Sequence, residues 1–255
     1  MVFRRSEPRE FTNAHEKFRI VGMKTRKIED TIYPVGIALS PGLVLARHKE
    51  VISKYGIDNF LKEQKFKRAR EMYQTAVYAL GTSARTGNYY WITPAKPIDE
   101  TPDCYLIWVN GNELCVECVE ITLWHEKVDE MWEIIKKKID KKYPFHFSIV
   151  IHDSHGKEKV ASRYYQELHE KLKDCSISAG AVRFWMEITN KKDRNVLIGE
   201  LYPENTWTEF SSARVLEKYS LSPPIIRIDV TSNRRRMTFA HDDLNNITLP
   251  ELPDI

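Results

Sequence analysis

PDCYLIWVNGNELCVECVEIT, residues 102–122, decides how this chain is read. Two apolar runs, CYLIWV and ELCVECVEIT, flank Asn110-Gly111-Asn112. Asn-Gly accepts the positive φ that a tight turn needs, so the stretch reads as a β-hairpin. Glu117 and Glu120 stand in the second run among Cys, Val and Ile, where a buried strand ordinarily carries only apolar side chains. An unpaired buried carboxylate is costly, so such a group needs a cation, a donor network or a bound metal. Strand alternation puts Glu117 with Val119 on one face and Glu120 with Thr122 on the other. A regular strand therefore aims only one of the two at any single site.

Before the hairpin, residues 1–17 read as a polar surface arm and FRIVGMK, residues 18–24, as a strand. YPVGIALS and LVLARH, separated by Ser40-Pro41-Gly42, read as a hairpin closed by a type II turn. From Asp58 to Leu80 the apolar residues recur at helical spacing and Gly81 stops them; GTSARTGN is then a loop and YYWITPA an aromatic strand. After the hairpin, Val128, Met131, Trp132, Ile135 and Ile139 mark an amphipathic helix ended at Tyr143-Pro144. FHFSIVIHD is a strand and KVASRYYQELHEKLKD a further helix. In the last third, AVRFWMEIT and NVLIGELY form a hairpin, FSSARVLEKYSL a helix capped at Ser211 or Ser212, and PPIIRIDVT a strand. NITLPELPDI lies along the surface. The fold class is α/β in the mixed α+β sense, a central mixed sheet flanked by helices. A core over residues 58–155 carries an N-terminal β-containing extension, 1–57, and a C-terminal α/β extension, 156–255.

The chain has 255 residues, 42% of them hydrophobic, which is ample for a real core. Thirty-nine basic against 36 acidic residues give a net charge of +3, a field too weak to argue for nucleic acid by itself. Four cysteines, three of them in the hairpin, read as buried hydrophobes of a reducing compartment. MVFRRSEPRE lacks the apolar segment of a signal peptide, and no window reaches the length of a membrane span. The expectation is an intracellular, cytoplasmic protein with no membrane partner.

Helix, three strands, helix, strand, with Pro102-Asp103 opening the second strand and a Glu within the third, resembles the PD-(D/E)XK superfamily of restriction-endonuclease-like nucleases. The resemblance covers roughly residues 60–155. It implies a restriction-endonuclease-like core that hydrolyses phosphodiester bonds of DNA or RNA with Mg²⁺ or Mn²⁺. Asp103 with Glu120 or Glu117 would be the catalytic, metal-holding carboxylates, and Glu71 the acidic residue on the preceding helix. VEIT has the alternation of the family's third motif, which favours Glu120 and puts Thr122 where the family carries its lysine. That lysine is absent two residues beyond either Glu, so Lys127 or Lys96 would supply the ammonium from elsewhere. Arg68, Arg70 and Lys96 would grip the nucleic-acid backbone, with Arg234, Arg235 and Arg236 farther off. Family analogy also implies a homodimer if both strands of a duplex are cut.

Competing motifs are weaker. Cys115-x-x-Cys118 resembles half a zinc site, but residues three apart on a strand face opposite sides. His125-Glu126-x-x-Asp129 lacks the second His of a zinc-protease helix, and its acids suit a helix N-terminus. His152-x-x-His155 follows a strand, where two histidines are ordinarily just exposed. The alternative to an enzyme is a catalytically degenerate nuclease fold that binds nucleic acid or a protein partner. The nuclease reading requires Asp103 to share a face of the sheet with one Glu. It falls if Asp103 lies across the sheet from both Glu117 and Glu120, or if those groups are buried in neutralising ion pairs with no open pocket.

Overall fold

A computed structural model of the chain describes residues 32–34, 36–95, 102–121, 128–140, 147–153, 158–175, 181–189, 194–203, 206–218, 225–231, 234–238 and 249–254. The arm at 1–17, the strand expected at 18–24, and Lys96, Thr122 and Lys127 lie outside the described residues. Among the described residues, ten strands form one mixed sheet in the order β10-β9-β1-β2-β3-β4-β5-β6-β7-β8. They are β1 (Ile37–Leu39), β2 (Tyr90–Pro94), β3 (Cys104–Trp108), β4 (Glu113–Ile121), β5 (Phe147–Asp153), β6 (Ala181–Thr189), β7 (Arg194–Tyr202), β8 (Thr206–Ser211), β9 (Ile225–Thr231) and β10 (Arg234–Thr238). β4, β5 and β6 are parallel to one another, and every other neighbouring pair is antiparallel. Parallel strands need crossovers, and α4 (Val128–Ile139) and α5 (Glu158–Lys173) supply them.

The hairpin forms as its sequence dictates. Cys104 pairs with Val116 and Ile107 with Glu113, and Gly111 at φ +86° closes the turn. Alternation then sorts β4 between two cores. Val116 and Cys118 pack with Cys104, Leu106 and the long helix α3 (Lys67–Thr86) on one face. Cys115 and Val119 pack with Met131, Ile135 and Ile139 of α4 and Leu168 and Leu172 of α5 on the other.

Around this centre several expectations are corrected. Ser40-Pro41-Gly42 opens a helix, α1 (Pro41–Tyr55), where a hairpin turn is expected. Ser40 is its N-cap, accepting a hydrogen bond from the Leu43 N–H at 3.2 Å, and Pro41 at the first turn has no N–H to leave unpaired. Only β1 of the first expected strand pair exists, and it is inserted in the sheet between β9 and β2. The single helix expected over 58–80 is a short α2 (Ile57–Lys62), a 3₁₀ turn (Gln64–Phe66) and then α3. Gly81 lies inside α3, and GTSART is helix where a loop is expected. A Cβ at Gly81 would stand 3.0 Å from Phe210 and 3.1 Å from Ile198, so the glycine permits close approach of the helix to the sheet. Gly87 ends the helix in the left-handed conformation, φ +74°, with its N–H bonded to the Ser83 carbonyl.

At the C-terminal side, β6 and β7 form the expected hairpin. β8 is an added edge strand, and α6 (Ser212–Lys218) begins later than the helix expected from 210. Arg234, Arg235 and Arg236 belong to β10, at the opposite edge of the sheet from β8. Among the described residues no helix is long and apolar enough to cross a membrane.

Candidate active site

The register of the hairpin sets the first contact. Cys104 stands opposite Val116, and Asp103 lies just outside β3, one residue before that pair. The Asp103 N–H donates to the Val116 carbonyl at 3.1 Å, and its carboxylate Oδ2 accepts the Cys118 N–H at 2.8 Å. A backbone N–H and a ladder bond thus fix the carboxylate against β4. Glu117 lies between Cys115 and Val119 on the α4 face, and its side chain is fully buried.

The cation that makes this burial tolerable comes from α4. Met131, Ile135 and Ile139 are the buried stripe of that helix, and Lys138 is three residues from Ile135 and seven from Met131. That spacing holds Lys138 at the margin of the stripe, whereas Lys136 and Lys137 are exposed. The Lys138 ammonium donates to Glu117 Oε2 and, at 3.2 Å, to Asp103 Oδ2. Burial disfavours its charge, but Asp103 and Glu117 outweigh that and raise its pKa above the ordinary lysine value. Lys138 is therefore a fixed positive charge at neutral pH. Its side chain is 21% exposed and that of Asp103 15%, so both keep some contact with solvent, whereas Glu117 has none.

Glu71 approaches from the other face. Its backbone carbonyl accepts hydrogen bonds from Thr75 Oγ1 at 2.8 Å and from Cys118 Sγ at 3.5 Å. That anchors α3 beside the residue whose N–H holds Asp103. The Glu71 carboxylate pairs with the half-exposed Lys67 ammonium at 3.4 Å. Burial, and then repulsion by Asp103, push its pKa up to about 7, while Lys67 and Lys138 pull it back. A measurable pH dependence follows. The folded state holds a proton on Glu71 that the unfolded chain, titrating near 4.5, has released. Stability from this group is thus fullest below pH 4.5 and is lost as the pH rises toward about 7. Glu71→Gln removes that slope, and at pH 8 it is expected to be more stable than the parent by about 2–3 kcal/mol. Denaturant titrations at pH 5 and pH 8 check the difference.

Asp103, Glu117 and Glu71 are the sequence candidates that the structure brings to this region. Lys138 was missed, and its helical register with Met131 and Ile135 is the signal that could have found it. Glu120 lies in β4 with its backbone opposite His152, at the opposite strand parity from Glu117; its side chain is outside the described residues. Of the two glutamates, Glu117 is the one that shares the Lys138 ammonium with Asp103.

Arg68 and Arg70, expected to grip the nucleic-acid backbone, make contacts within the chain. Arg68 is buried, and Arg70 donates to the Phe60 carbonyl at 2.6 Å and the Glu63 carbonyl at 3.2 Å, tying the end of α2 to α3. Cys115 and Cys118 fall in different cores, as the strand period requires, and burial pushes the Cys118 thiol well up. Asp129 is exposed and pairs with Lys171 at 2.9 Å.

Among the described residues no group of three or more His, Cys, Asp or Glu side chains is placed so that it could hold a metal ion. The donor set is nonetheless of the kind a hard divalent cation takes. Asp103 and Glu117 offer carboxylate oxygens, and Asp103 Oδ2 takes both the Cys118 N–H and the Lys138 ammonium. Mg²⁺ needs only one or two carboxylates because it keeps most of its waters. No protein-family model, curated protein or solved structure matches the chain.

Proposed function

We propose that this chain is a divalent-metal-dependent nuclease with a restriction-endonuclease-like core whose lysine is supplied by α4. The observation that carries the reading is the convergence of Asp103, Glu117 and Lys138 at the β3–β4 pair. It lies within a unit of α3, β2, β3, β4, α4 and β5, the order expected from the resemblance. Asp103 and Glu117 would hold Mg²⁺ or Mn²⁺, with Glu71 across the sheet from Glu117. Such an ion supplies Lewis-acid polarisation of a phosphoryl oxygen and a bound water acidic enough to yield hydroxide near neutral pH.

The chain's own residues divide the remaining work. The Cys118 N–H fixes the Asp103 carboxylate, so no reorganisation of that ligand is needed. Lys138, held protonated, offers positive charge to the phosphoryl oxygens and hydrogen bonds to orient a water; it does not act as a base at neutral pH. Lys67, half-exposed and paired with Glu71, and the exposed Lys136 and Lys137 of α4 would take the phosphate-gripping role. With a duplex DNA substrate, two copies of the chain would cut the two strands.

A second reading, a degenerate nuclease fold that binds without cutting, is favoured by the complete burial of Glu117 and its pairing with Lys138. Calorimetry and a cleavage assay separate the two. Mn²⁺ is expected to bind the wild type and give no binding heat with Asp103→Ala, and the wild type is expected to nick plasmid DNA or structured RNA in Mn²⁺. Mn²⁺ binding without cleavage of either substrate supports the degenerate scaffold, and no Mn²⁺ binding ends the metal proposal.

A further inference from the structure

The C-terminal segment is held on α1 through its main-chain carbonyls. The Pro250 carbonyl accepts from the Arg47 guanidinium, the Leu252 carbonyl from Lys54 Nζ at 2.6 Å, and the Pro253 carbonyl from the Tyr55 hydroxyl at 2.5 Å. Lys54 also pairs with Asp254 at 2.8 Å. The donors are all side chains of one helix, and the acceptors are main-chain carbonyls that any sequence of this backbone shape would present. Side-chain selectivity comes from Leu249 and Leu252, which pack against the core that includes Val44 and Val51 of α1.

The spacing explains the arrangement. Leu249 and Leu252 are three residues apart, as are Pro250 and Pro253. A polyproline II helix has three residues per turn and leaves its carbonyls unsatisfied, so one face would carry both leucines while the carbonyls are open to outside donors. Aromatic and cationic side chains on a groove are how proline-containing peptides are recognised. Arg47 is also held by the Ile32 carbonyl at 3.4 Å and by Glu50 at 3.0 Å, contacts that do not depend on the segment's own atoms.

From this we propose that Arg47, Lys54 and Tyr55 form a peptide-recognition site for an extended Leu-Pro-x-Leu-Pro-Asp segment. In this chain residues 249–254 fill the site, and it takes the same sequence in trans once that strap is displaced. The proposal is independent of the phosphodiesterase reading. Tethering gives the strap an effective concentration that a free peptide must exceed, so the intact chain resists exchange.

The test uses full-length protein and a fluorescein-labelled peptide of residues 246–255, read by anisotropy. Leu252→Asp is expected to release the strap, leave the circular dichroism unchanged and bind the peptide saturably. The wild type is expected to bind at least about tenfold more weakly. Adding Tyr55→Phe to the released variant is expected to weaken binding about three- to tenfold through the lost hydrogen bond. Should Leu252→Asp fail to fold, Pro253→Gly takes its place as the releasing variant. A folded released variant that does not bind, or one that binds equally well with Tyr55→Phe, overturns the proposal. Loss of folding in both releasing variants also overturns it, because the segment would then be an integral part of the core.

Discussion

Lys138→Met is expected to destabilise the protein by about 3–5 kcal/mol, because it leaves the buried carboxylate of Glu117 without its cation. The methionine restores most of the side-chain volume, so the loss reports the unpaired charge more than a cavity. Glu117→Gln in the same chain removes that charge, and the double variant is expected to recover most of the stability. Its coupling, measured by denaturant titration of both single variants and the double, is expected to be large and favourable to the native pair. Equal and additive losses would show that the ion pair does not carry the burial of Glu117. Met at this position also removes the ammonium from Asp103, so Mn²⁺-dependent cleavage is expected to fall even at temperatures where the variant stays folded.

The second large effect separates the two glutamates. Glu117→Gln keeps a polar group of nearly the same shape in the strand but removes the charge beside Asp103 and Lys138. Cleavage in Mn²⁺ is expected to drop by roughly 10²–10³, the range found when one preorganised electrostatic contact to a transition state is lost. Glu120→Gln, at a strand position of the other parity, is expected to retain activity within a few-fold. Plasmid nicking rates measured side by side decide the point. The reverse pattern would return the site to Glu120.

Much of the fold was legible because the central elements carry strong periodic signals. The Asn110-Gly111 hairpin, the apolar stripe of α4 and the compact strand β5 each rest on local chemistry that tertiary contacts reinforce. Glu117 was legible for the same reason, as a charge at the wrong period in an apolar strand. The α1 helix was not, because Pro followed by Gly serves a turn as well as a helix start. Only the Ser40 side chain's bond to Leu43 distinguishes them. Gly81 was misread as a terminator because a sequence does not reveal that Ile198 and Phe210, more than a hundred residues away, approach its Cα.

The lysine of the site was hidden differently. Lys136, Lys137 and Lys138 together look like the basic last turn that complements a helix dipole. Their difference lies only in phase. Lys138 alone shares the side of Met131 and Ile135 that packs on the sheet, and linear spacing from Glu117 gives no hint of it.

The account depends on a divalent ion seated at Asp103 and Glu117 within reach of Lys138. Anomalous diffraction from a crystal soaked in Mn²⁺ tests it most directly. The account predicts a peak at about 2.0–2.2 Å from a carboxylate oxygen of Asp103, with Glu117 or Glu71 as a second protein ligand. A Mn²⁺-saturated crystal with no peak there, and the Lys138 ammonium still seated between Asp103 and Glu117, would contradict it.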